Sequence, residues 1–506
     1  MNKKHLILYI IILLLITVRV VAIFVIPLAD TTEARYGHIA YIMATSNDWI
    51  TPYFDQNVPF WGKPPFSFWM QAISYKIFGM HDFSARVPSM IFTIFSIGLI
   101  FHYLRTFYTF TSALWGVIIY LGFLLVFILS GAILTDPYLA FATTLSMISF
   151  MMVMKNQPSY WGYLFFLGIA IGLLTKGPLT LVLIGGALCL WLLFDPINRF
   201  AELKKLPYIK GGAVALIISL PWYIIAEIKT PGFLNYFIIG EHFQRFLDSG
   251  WNGDLYGSAH KQPKGKIWIL WLAAAFPWVF VVLYGSIKNI KNSVAILKNS
   301  NEFAYFFAWS VFTMLFFTMS GNILVTYILP ALSPLAILIA IYLLQYDFEI
   351  KVKRFNILYI LALITPLAAI IATVYLVIFP NKLNTQNGLI AKYENIKKQN
   401  QPIYFIDDRT FSAEYYSKDN AILVSNNAHA IRSKSNYINY TQFKQKLQDT
   451  QDTQDTICIA IYKKSVDKVI EHFDLNLKKI YEDNMFILFV GQYNDLNSSI
   501  KTSNKP

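Results

Sequence analysis

Charged side chains of both signs lie close together directly after the first long apolar run. Asp30, Glu33 and Arg35 follow that run, and Lys63 comes later on a stiff Gly-Lys-Pro-Pro segment. At the edge of a bilayer, a carboxylate can orient a substrate, bind a cation or accept a proton, whereas Arg and Lys can bind a phosphate. Interfacial charge without any chemistry is the alternative explanation. These four residues are the first candidates for a site.

Four more candidates stand out by their positions. Asp136 opens an apolar run before a proline, where it could equally cap a helix. Lys176 lies between two apolar runs, where an unpaired ammonium would be costly, although it could also reach the interface as a topology signal. His242 and Arg245 share the motif E-H-F-Q-R-F. Only two histidines, His242 and His260, lie in this part of the chain and no cysteine is near them, a set that does not predict a zinc site. We therefore predict no metal ligand set and no required cofactor, and leave open a divalent cation held by the acids.

The whole chain is too apolar for an ordinary soluble enzyme. Of its 506 residues, 56% are hydrophobic and 14% charged, against roughly 25% charged in an average soluble protein. A helix crosses a bilayer with about 20 apolar residues. The first such run is long and lacks a clear cleavage site, so we predict that it is retained. The predicted spans, about eleven in number, lie near 5–28, 86–104, 111–130, 133–154, 160–176, 178–194, 211–228, 267–287, 303–320, 323–345 and 355–379.

Lysines and arginines accumulate in alternate connections between these spans. Because short cytoplasmic loops are rich in such residues, the bias predicts a cytoplasmic N-terminus and three external pieces, at 29–85, 229–266 and the tail from 380. These topology signals explain the net charge of +13, which therefore does not indicate a nucleic-acid partner. The residues concerned are Lys3, Lys4, Arg105, Lys155, Arg199, Lys204, Lys205, Lys210, Lys288, Lys291, Lys298, Lys351, Lys353 and Arg354.

The tail, 380–506, is predicted to form a small α/β domain. Its short apolar runs are typical of buried strands, separated by polar helical stretches. The predicted strands are 403–406, 421–424, 457–461 and 485–490, and the predicted helices 440–449 and 464–473. A threefold Gln-Asp-Thr repeat at 448–456 predicts a loop. The tail carries no catalytic motif.

A set of motifs resembles the aminoarabinose-transferase family of polyprenyl-phosphate-dependent membrane glycosyltransferases, which are related to protein mannosyltransferases. No single motif would suffice, but the set follows the family's order over roughly residues 20–340. The motifs are D-x-T-E-A-R-Y at 30–36, D-W-I-T-P at 48–52, G-K-P-P at 62–65, F-G-x-H-D-F-S-A-R-V-P at 78–88, L-T-D-P at 134–137, L-T-K-G-P at 174–178, E-H-F-Q-R-F at 241–246, F-P-W at 276–278 and T-Y-I-L-P at 326–330.

The resemblance implies a fold, a location and substrates. The fold would be a membrane all-α domain of the GT-C type over 1–379, with about 11–13 helices and juxtamembrane helices in the first loop, followed by a small external α/β domain over 380–506. The donor would be a sugar, such as an amino sugar, on undecaprenyl phosphate, and the acceptor lipid A or a similar envelope molecule. The active site would face the periplasm, on the bacterial inner membrane.

The resemblance also implies roles for individual residues. A first-loop acid and Asp136 would be catalytic. The acid stays open between Asp30 and Glu33, because related members have an Asp where this chain has Thr32. A second departure is Ile323, at a position where the family often has Lys. The implied contacts to phosphate or substrate are Arg35, Lys63, Lys176, His242, Arg245 and Tyr327.

Two other functions compete with this one. A transporter or flippase for a lipid-linked sugar would also have many spans, but such proteins commonly show internal repeats, and none is seen here. A protein O-mannosyltransferase-like enzyme would keep the donor class and change the acceptor to protein hydroxyls. In every case the expected partners are membrane lipids and a lipid-linked sugar.

Overall fold

The computed structural model divides the chain into two compact units. It describes residues 3–248, 250–257, 260–288, 300–345, 352–399, 401–428, 434–452, 457–473 and 475–493. The first unit comprises Met1–Val25, Asn47–Pro52 and Phe60–Val374, and the second Ile26–Ser46, Tyr53–Pro59 and Tyr375–Pro506. Lys291, Lys298 and Lys351, used above to predict the orientation, lie outside the described residues, as do the last four residues of the Gln-Asp-Thr repeat.

Helices dominate the described chain. The α-helices are α1 (Lys3–Val25), α2 (Thr32–Ser46), α3 (Phe66–Phe78), α4 (Asp82–Phe107), α5 (Phe110–Gly122), α6 (Leu124–Leu129), α7 (Asp136–Met154), α8 (Tyr160–Lys176), α9 (Leu179–Leu192), α10 (Pro196–Leu203), α11 (Tyr208–Lys229), α12 (Arg245–Leu247), α13 (Lys266–Ala274), α14 (Val279–Lys288), α15 (Asn301–Thr318), α16 (Leu332–Gln345), α17 (Val352–Ile378), α18 (Asn387–Ile396), α19 (Phe411–Ser417), α20 (Tyr440–Asp452) and α21 (Val466–Phe473). A π-helical segment covers Asn235–Gln244, and 3-10 turns cover Val325–Ala331, Pro380–Lys382 and Lys463–Ser465.

Six helical stretches of the described chain are long and apolar enough to cross a membrane, and three shorter apolar helices accompany them. The six are Lys3–Val25, Asp82–Phe107, Asp136–Met154, Tyr208–Lys229, Val325–Leu343 and Ile357–Ile378, and the shorter ones Phe110–Gly122, Tyr160–Lys176 and Leu179–Leu192. The chain is therefore a multi-spanning, mostly helical membrane protein with a small C-terminal sheet region, as predicted.

Several predicted single spans are divided in the structure. The span predicted at 111–130 consists of α5 and α6, because Phe123 between them has an extended backbone. The span predicted at 267–287 consists of α13 and α14, separated by Ala275–Trp278 with Pro277 among them. The span predicted at 323–345 begins with a 3-10 turn that contains Pro330. Apolar composition alone does not reveal such breaks.

Helix α7 lies at the centre of the first unit. Within its most apolar window 94% of residues are buried, compared with 33% in α1 and 22% in Ile357–Ile378. Small residues let α8 approach α7 closely. A Cβ atom added at Gly168 would lie 2.3 Å from Ser146 Oγ, and Ser146 Oγ donates to the carbonyl of Phe165 at 2.9 Å. This close packing fixes the two helices that carry Asp136 and Lys176.

The second unit contains a six-stranded mixed sheet. Its strands are β3 (Ile403–Ile406), β4 (Ala421–Val424), β5 (Tyr437–Ile438), β6 (Ile457–Tyr462), β7 (Leu475–Glu482) and β8 (Phe486–Tyr493), in the order β5-β4-β3-β6-β8-β7. Strands β3 to β6 pair in parallel, whereas β8 pairs antiparallel with both β6 and β7. Alternate residues face opposite sides of a sheet, and accordingly Phe405 and Ile406 belong to different apolar clusters. The α/β character predicted for the tail is confirmed, although the repeat residues up to Asp452 continue α20 and do not form a loop.

Parts of the first predicted external loop pack into this second unit. They are α2 and a hairpin of β1 (Tyr53–Asp55) and β2 (Val58–Pro59). The backbone N–H of Leu28 donates to the hydroxyl of Tyr416 at 2.7 Å. The 379/380 boundary stays a prediction, but the folded unit around the sheet includes residues from near the start of the chain. Contacts so distant in sequence leave no local pattern.

Candidate active site

Lys63 lies on the turn between β2 and α3. Two prolines follow it, and the second precedes the first residue of α3, so its backbone is restricted before the helix starts. Its Nζ lies 3.0 Å from Glu241 Oε2 and also donates to the carbonyl of Gly62 at 2.5 Å. The Lys63 side chain is 23% exposed, whereas that of Glu241 is 5% exposed. A buried carboxylate thus holds an ammonium that solvent can still reach.

Glu241 also holds Arg245, one turn further along. The Arg245 guanidinium donates to Glu241 Oε1 at 2.9 Å and to Oε2 at 3.1 Å, and it lies 3.4 Å from Asp254. Burial raises the pKa of Glu241, but the charges and hydrogen bonds of Lys63 and Arg245 outweigh it, so this pKa lies below its usual value. Glu241 is therefore an anion shared by two cations.

The π-helical segment Asn235–Gln244 presents these residues. Single π turns within helical chains are often found at functional sites. Here the wider turn brings His242 Nδ1 to 2.8 Å from the carbonyl of Phe237, five residues earlier. Its Nε2 lies 3.0 Å from the carbonyl of Lys176. Burial lowers the pKa of His242 below its usual value despite these two carbonyls. The ring therefore lies between the π-helical segment and the end of α8, and its neutral form can donate to one of the two carbonyls.

Asp136 and Lys176 form a buried ion pair. Asp136 is the first residue of α7 and Lys176 the last of α8, and Lys176 Nζ donates to Asp136 Oδ1 at 2.8 Å. Their side chains are 8% and 7% exposed. Removing either partner from such a pair leaves an uncompensated buried charge. The Lys176 ammonium is therefore neither an unpaired buried charge nor an exposed topology signal.

Tyr327 is close to the charged residues of both pairs. The Lys176 ammonium lies 5.1 Å from the centre of its ring. Tyr327 is also within electrostatic range of Arg245, Lys63, Asp136 and Glu241. Six of the nine predicted site residues therefore lie together in the first unit. The six are Lys63, Asp136, Lys176, His242, Arg245 and Tyr327.

The other three predicted residues belong to the second unit. Asp30 is engaged there by α19: its Oδ1 accepts from the backbone N–H of Ser412 at 2.9 Å, and its Oδ2 accepts from the Ser412 hydroxyl. Burial raises the pKa of Asp30, although the bonds from Ser412 oppose the shift. The Arg35 guanidinium lies over the rings of Tyr36 and Phe411, at 5.3 and 5.5 Å from their centres. Glu33 is half-buried in the first turn of α2.

Ile323 stands where the family often has a lysine, and its side chain cannot supply the positive charge of that lysine. Its side chain is 2% exposed, and its backbone N–H donates to the carbonyl of His260 at 3.3 Å. The position is therefore part of the packed interior.

Two residues of the cluster were not among the predicted ones. Glu241 joins both cations, and Asp254 lies against Arg245. The spacing of Glu241 and Arg245 in the E-H-F-Q-R-F motif, four residues apart on a helical segment, could have revealed their pairing. No local pattern marks Asp254. Within the described residues, no group of three or more His, Cys, Asp or Glu side chains could hold a metal ion.

Chemically, the cluster in the first unit is suited to a phosphate. Lys63 and Arg245 are partly exposed cations, 23% and 17%, each already anchored by a buried carboxylate. Anchored cations need little reorganisation to stabilise charge that develops on a bound group. Guanidinium and ammonium groups both bind phosphate oxygens.

Several known proteins are similar to this chain. Residues 62–225 match the family described as dolichyl-phosphate-mannose-protein mannosyltransferase. The chain is similar to undecaprenyl phosphate-alpha-4-amino-4-deoxy-L-arabinose arabinosyl transferases. It is 29% identical to that of Yersinia pestis (strain Pestoides F) over 339 residues, or 64% of this chain and 57% of the relative. It is 31% identical to that of Erwinia tasmaniensis over 315 residues, or 61% and 54%. The chain thus spans little more than half the length of these relatives.

Solved structures show the same fold. The chain is similar to ArnT from Cupriavidus metallidurans bound to undecaprenyl phosphate, with a TM-score of 0.78, 15% identity, and 95% of this chain and 97% of that one covered. The apo form of that protein gives a TM-score of 0.77 with 16% identity, over 97% and 98% of the two chains.

Proposed function

We propose that the chain belongs to the aminoarabinose-transferase-like family and that it is a glycosyltransferase that moves a sugar from undecaprenyl phosphate to lipid A or a similar envelope acceptor. The observation that carries the proposal is the cluster of Lys63, Arg245 and Lys176 with their carboxylates. The similar relatives are named for a sugar on undecaprenyl phosphate, and a neighbour in fold was solved bound to undecaprenyl phosphate. In a sugar donor of this class a phosphate joins the lipid to the sugar, and the cluster can bind this phosphate.

The chemistry follows from the charges. An oxygen of the acceptor forms a bond to the anomeric carbon, the bond from that carbon to the phosphate oxygen breaks, and its electron pair stays on undecaprenyl phosphate. Lys63 and Arg245 stabilise the negative charge that grows on this leaving group. Glu241 keeps both cations in place, and the pair of Asp136 and Lys176 supports them from within the unit.

The proton balance depends on the acceptor. A phosphate acceptor is already ionised near neutral pH, so a carboxylate would only orient it. A hydroxyl acceptor loses a proton to a base, and we assign this role to Glu33, which matches the glutamate of the family's first-loop motif.

We place the enzyme in the bacterial inner membrane with its N-terminus in the cytoplasm and with the site and the C-terminal domain in the periplasm. The distribution of Lys and Arg between the spans supports this orientation. Lys264 is exposed in the second external loop. A thiol introduced as Lys264→Cys should react with a membrane-impermeant reagent in cells with a permeabilised outer membrane, and protection from the reagent would contradict the orientation.

A second candidate is a protein O-mannosyltransferase-like activity, because residues 62–225 match that family description. One assay compares the candidates. Purified protein in detergent receives undecaprenyl phosphate carrying a labelled sugar, together with either lipid A or a peptide rich in Ser and Thr. Label on lipid A supports the proposal, and label on the peptide supports the second candidate. Absence of both, with movement of the labelled lipid across liposomes, would show a transporter.

A further inference from the structure

A short helix connects α9 to α11 in the first unit. Helix α9 is apolar, and α11 is one of the six helices that are long and apolar enough to cross a membrane. Between them lies α10, and where this helix begins the side chain of Asp195 accepts from the backbone N–H of Asn198 at 3.4 Å. We call residues 193–210 the connecting segment. The chain leaves the apolar region at the end of α9 and enters it again at the start of α11.

One face of α10 is fixed to the rest of the first unit. The Arg199 guanidinium donates to the carbonyl of Trp191 at 2.6 Å, and it lies over the Trp191 ring at 5.5 Å from the ring centre. Arg199 is buried, and Leu203, one turn later, packs against the apolar core. These contacts determine which side of the helix points outward.

The outward side of α10 is apolar. Ile197 and Phe200 lie three residues apart, which places them on one face of the helix, and they are 87% and 55% exposed. Leu193 before the helix and Ile209 after it are also exposed. Exposed apolar side chains that cluster in this way mark a surface that another molecule covers. Because the connecting segment joins two apolar helices of a membrane protein, the molecule at this place is a lipid.

Two exposed lysines border this apolar face. The Lys204 ammonium lies 5.3 Å from the centre of the Phe200 ring, and Lys210 follows in the first turn of α11. Neither forms an ion pair within the described part of the chain, whereas Lys205 pairs with Glu202 at 2.8 Å. A lysine can lay its aliphatic stem along apolar surface and keep its ammonium in the polar layer. Lys204 and Lys210 are placed to do so.

The charges of the connecting segment select the kind of lipid. The segment carries four basic and two acidic side chains. Both acids are engaged within the segment, and Arg199 is buried. The positive charge that reaches the headgroup layer is therefore that of Lys204 and Lys210. Basic residues beside an apolar face attract lipids with a net negative charge, and a zwitterionic headgroup offers no such charge.

We propose that the connecting segment is a binding site for an anionic phospholipid. Ile197 and Phe200 lie among the upper parts of the acyl chains, and Lys204 and Lys210 bind the phosphate of the headgroup. The proposed orientation places this lipid in the cytoplasmic leaflet. The site takes no part in the transfer of the sugar, so this inference stands or falls independently of the proposed function.

The test reports lipid contact at the segment itself. A fluorophore is attached to Leu193→Cys in a Cys189→Ser background, because Cys189 is exposed whereas Cys458 is buried. The full chain is placed in phosphatidylcholine nanodiscs, which receive increasing fractions of brominated phosphatidylglycerol or brominated phosphatidylcholine as the quencher. A lysine near the membrane surface contributes roughly fivefold to the binding of an anionic lipid. Half-maximal quenching should therefore need a fraction of phosphatidylglycerol about tenfold or more below that of phosphatidylcholine.

Substitution of single lysines separates a built site from diffuse positive charge. Lys204→Gln should reduce the preference for phosphatidylglycerol about fivefold, and Lys204→Gln/Lys210→Gln should abolish it. The matched control is Lys205→Gln, which removes the same charge from a lysine that Glu202 already holds. This control should change the preference by less than about twofold.

The opposite results would overturn the proposal. Equal loss of the preference in Lys204→Gln and Lys205→Gln would show that only the net charge of the segment matters. Equal quenching by the two lipids around the unsubstituted lysines would show that the headgroup is not selected. Absence of quenching by both lipids would show that this face of α10 borders water.

Discussion

Two clusters of charged residues in this protein have similar compositions and opposite accessibility. In the first unit, Lys63 and Arg245 share Glu241, and both cations remain partly exposed, 23% and 17%. In the second unit, Arg409 lies between Asp55 and Glu414, and all three side chains are at most 2% exposed. A cation that is anchored but accessible can still bind a ligand. A cation enclosed by its partners can only hold the fold together.

The second cluster connects the first-loop hairpin and α2 to the sheet region of the same unit. Arg409 donates to Asp55 Oδ2 at 3.0 Å and to Glu414 Oε1 at 3.1 Å. His38 of α2 lies 2.6 Å from Asp419, and although burial raises the pKa of Asp419, the hydrogen bond and charge of His38 bring it below its usual value. These contacts explain why residues near the start of the chain fold with the tail.

The largest expected effect comes from breaking the enclosed cluster. In the Arg409→Met variant, the buried carboxylate of Asp55 no longer has its cationic partner. Removal of one partner from such a buried pair typically costs about 3–5 kcal/mol. Hydrogen exchange of the β3 and β4 amides should report a local unfolding free energy lower by that amount. The control is Lys397→Met, which removes a surface pair with Glu394 and should cost less than about 1 kcal/mol. Equal protection in both variants would refute the structural role of Arg409.

The sequence patterns predicted individual strands and helices better than they predicted which of these elements pack together. Strands β3 and β4 were predicted at 403–406 and 421–424, where they occur, because short apolar runs bounded by polar residues carry a local signal. Strand β7 was missed, since two lysines interrupt its alternation. The partnership of Asp55 with Arg409 joins residues more than 350 positions apart and could not be predicted from periodicity. In the candidate site, the motif set supplied the cations, but Glu241, which joins them, was identified only from its contacts.

The next largest effect concerns the accessible cluster. Lys63→Met keeps the aliphatic stem and removes the charge, while Glu241 stays paired with Arg245. We expect kcat/KM to fall by about 10²–10³, as when one preorganised charge-stabilising donor is lost, with a melting temperature close to that of the wild type. Lys76→Met is the matched control, because Lys76 is exposed and bonded to Asn47. A large loss of stability with retained activity would place Lys63 in the same class as Arg409.

The two first-loop acids of the second unit, Asp30 and Glu33, are expected to differ in role, one stabilising the fold and the other acting in catalysis. Both oxygens of Asp30 are bonded to Ser412, so Asp30→Asn should lower stability by about 1 kcal/mol and leave kcat almost unchanged. Glu33→Gln should lower kcat by about 10², the usual contribution of a general base. Steady-state transfer rates and thermal unfolding of the same preparations measure both. The reverse outcome would assign the catalytic role to Asp30.

The smallest effect is a pH dependence that belongs to the first unit. Burial lowers the pKa of His242, so the folded protein binds this proton less readily than the unfolded chain, whose histidine has a pKa of about 6.5. The stability that the neutral ring contributes is present above that value and is lost as the pH falls below it, by at most about 1.4 kcal/mol per pH unit. His242→Gln should therefore reduce the fall in melting temperature between pH 7 and pH 5.5. If the variant follows the wild-type curve, the pH dependence of the stability of the first unit comes from groups other than His242.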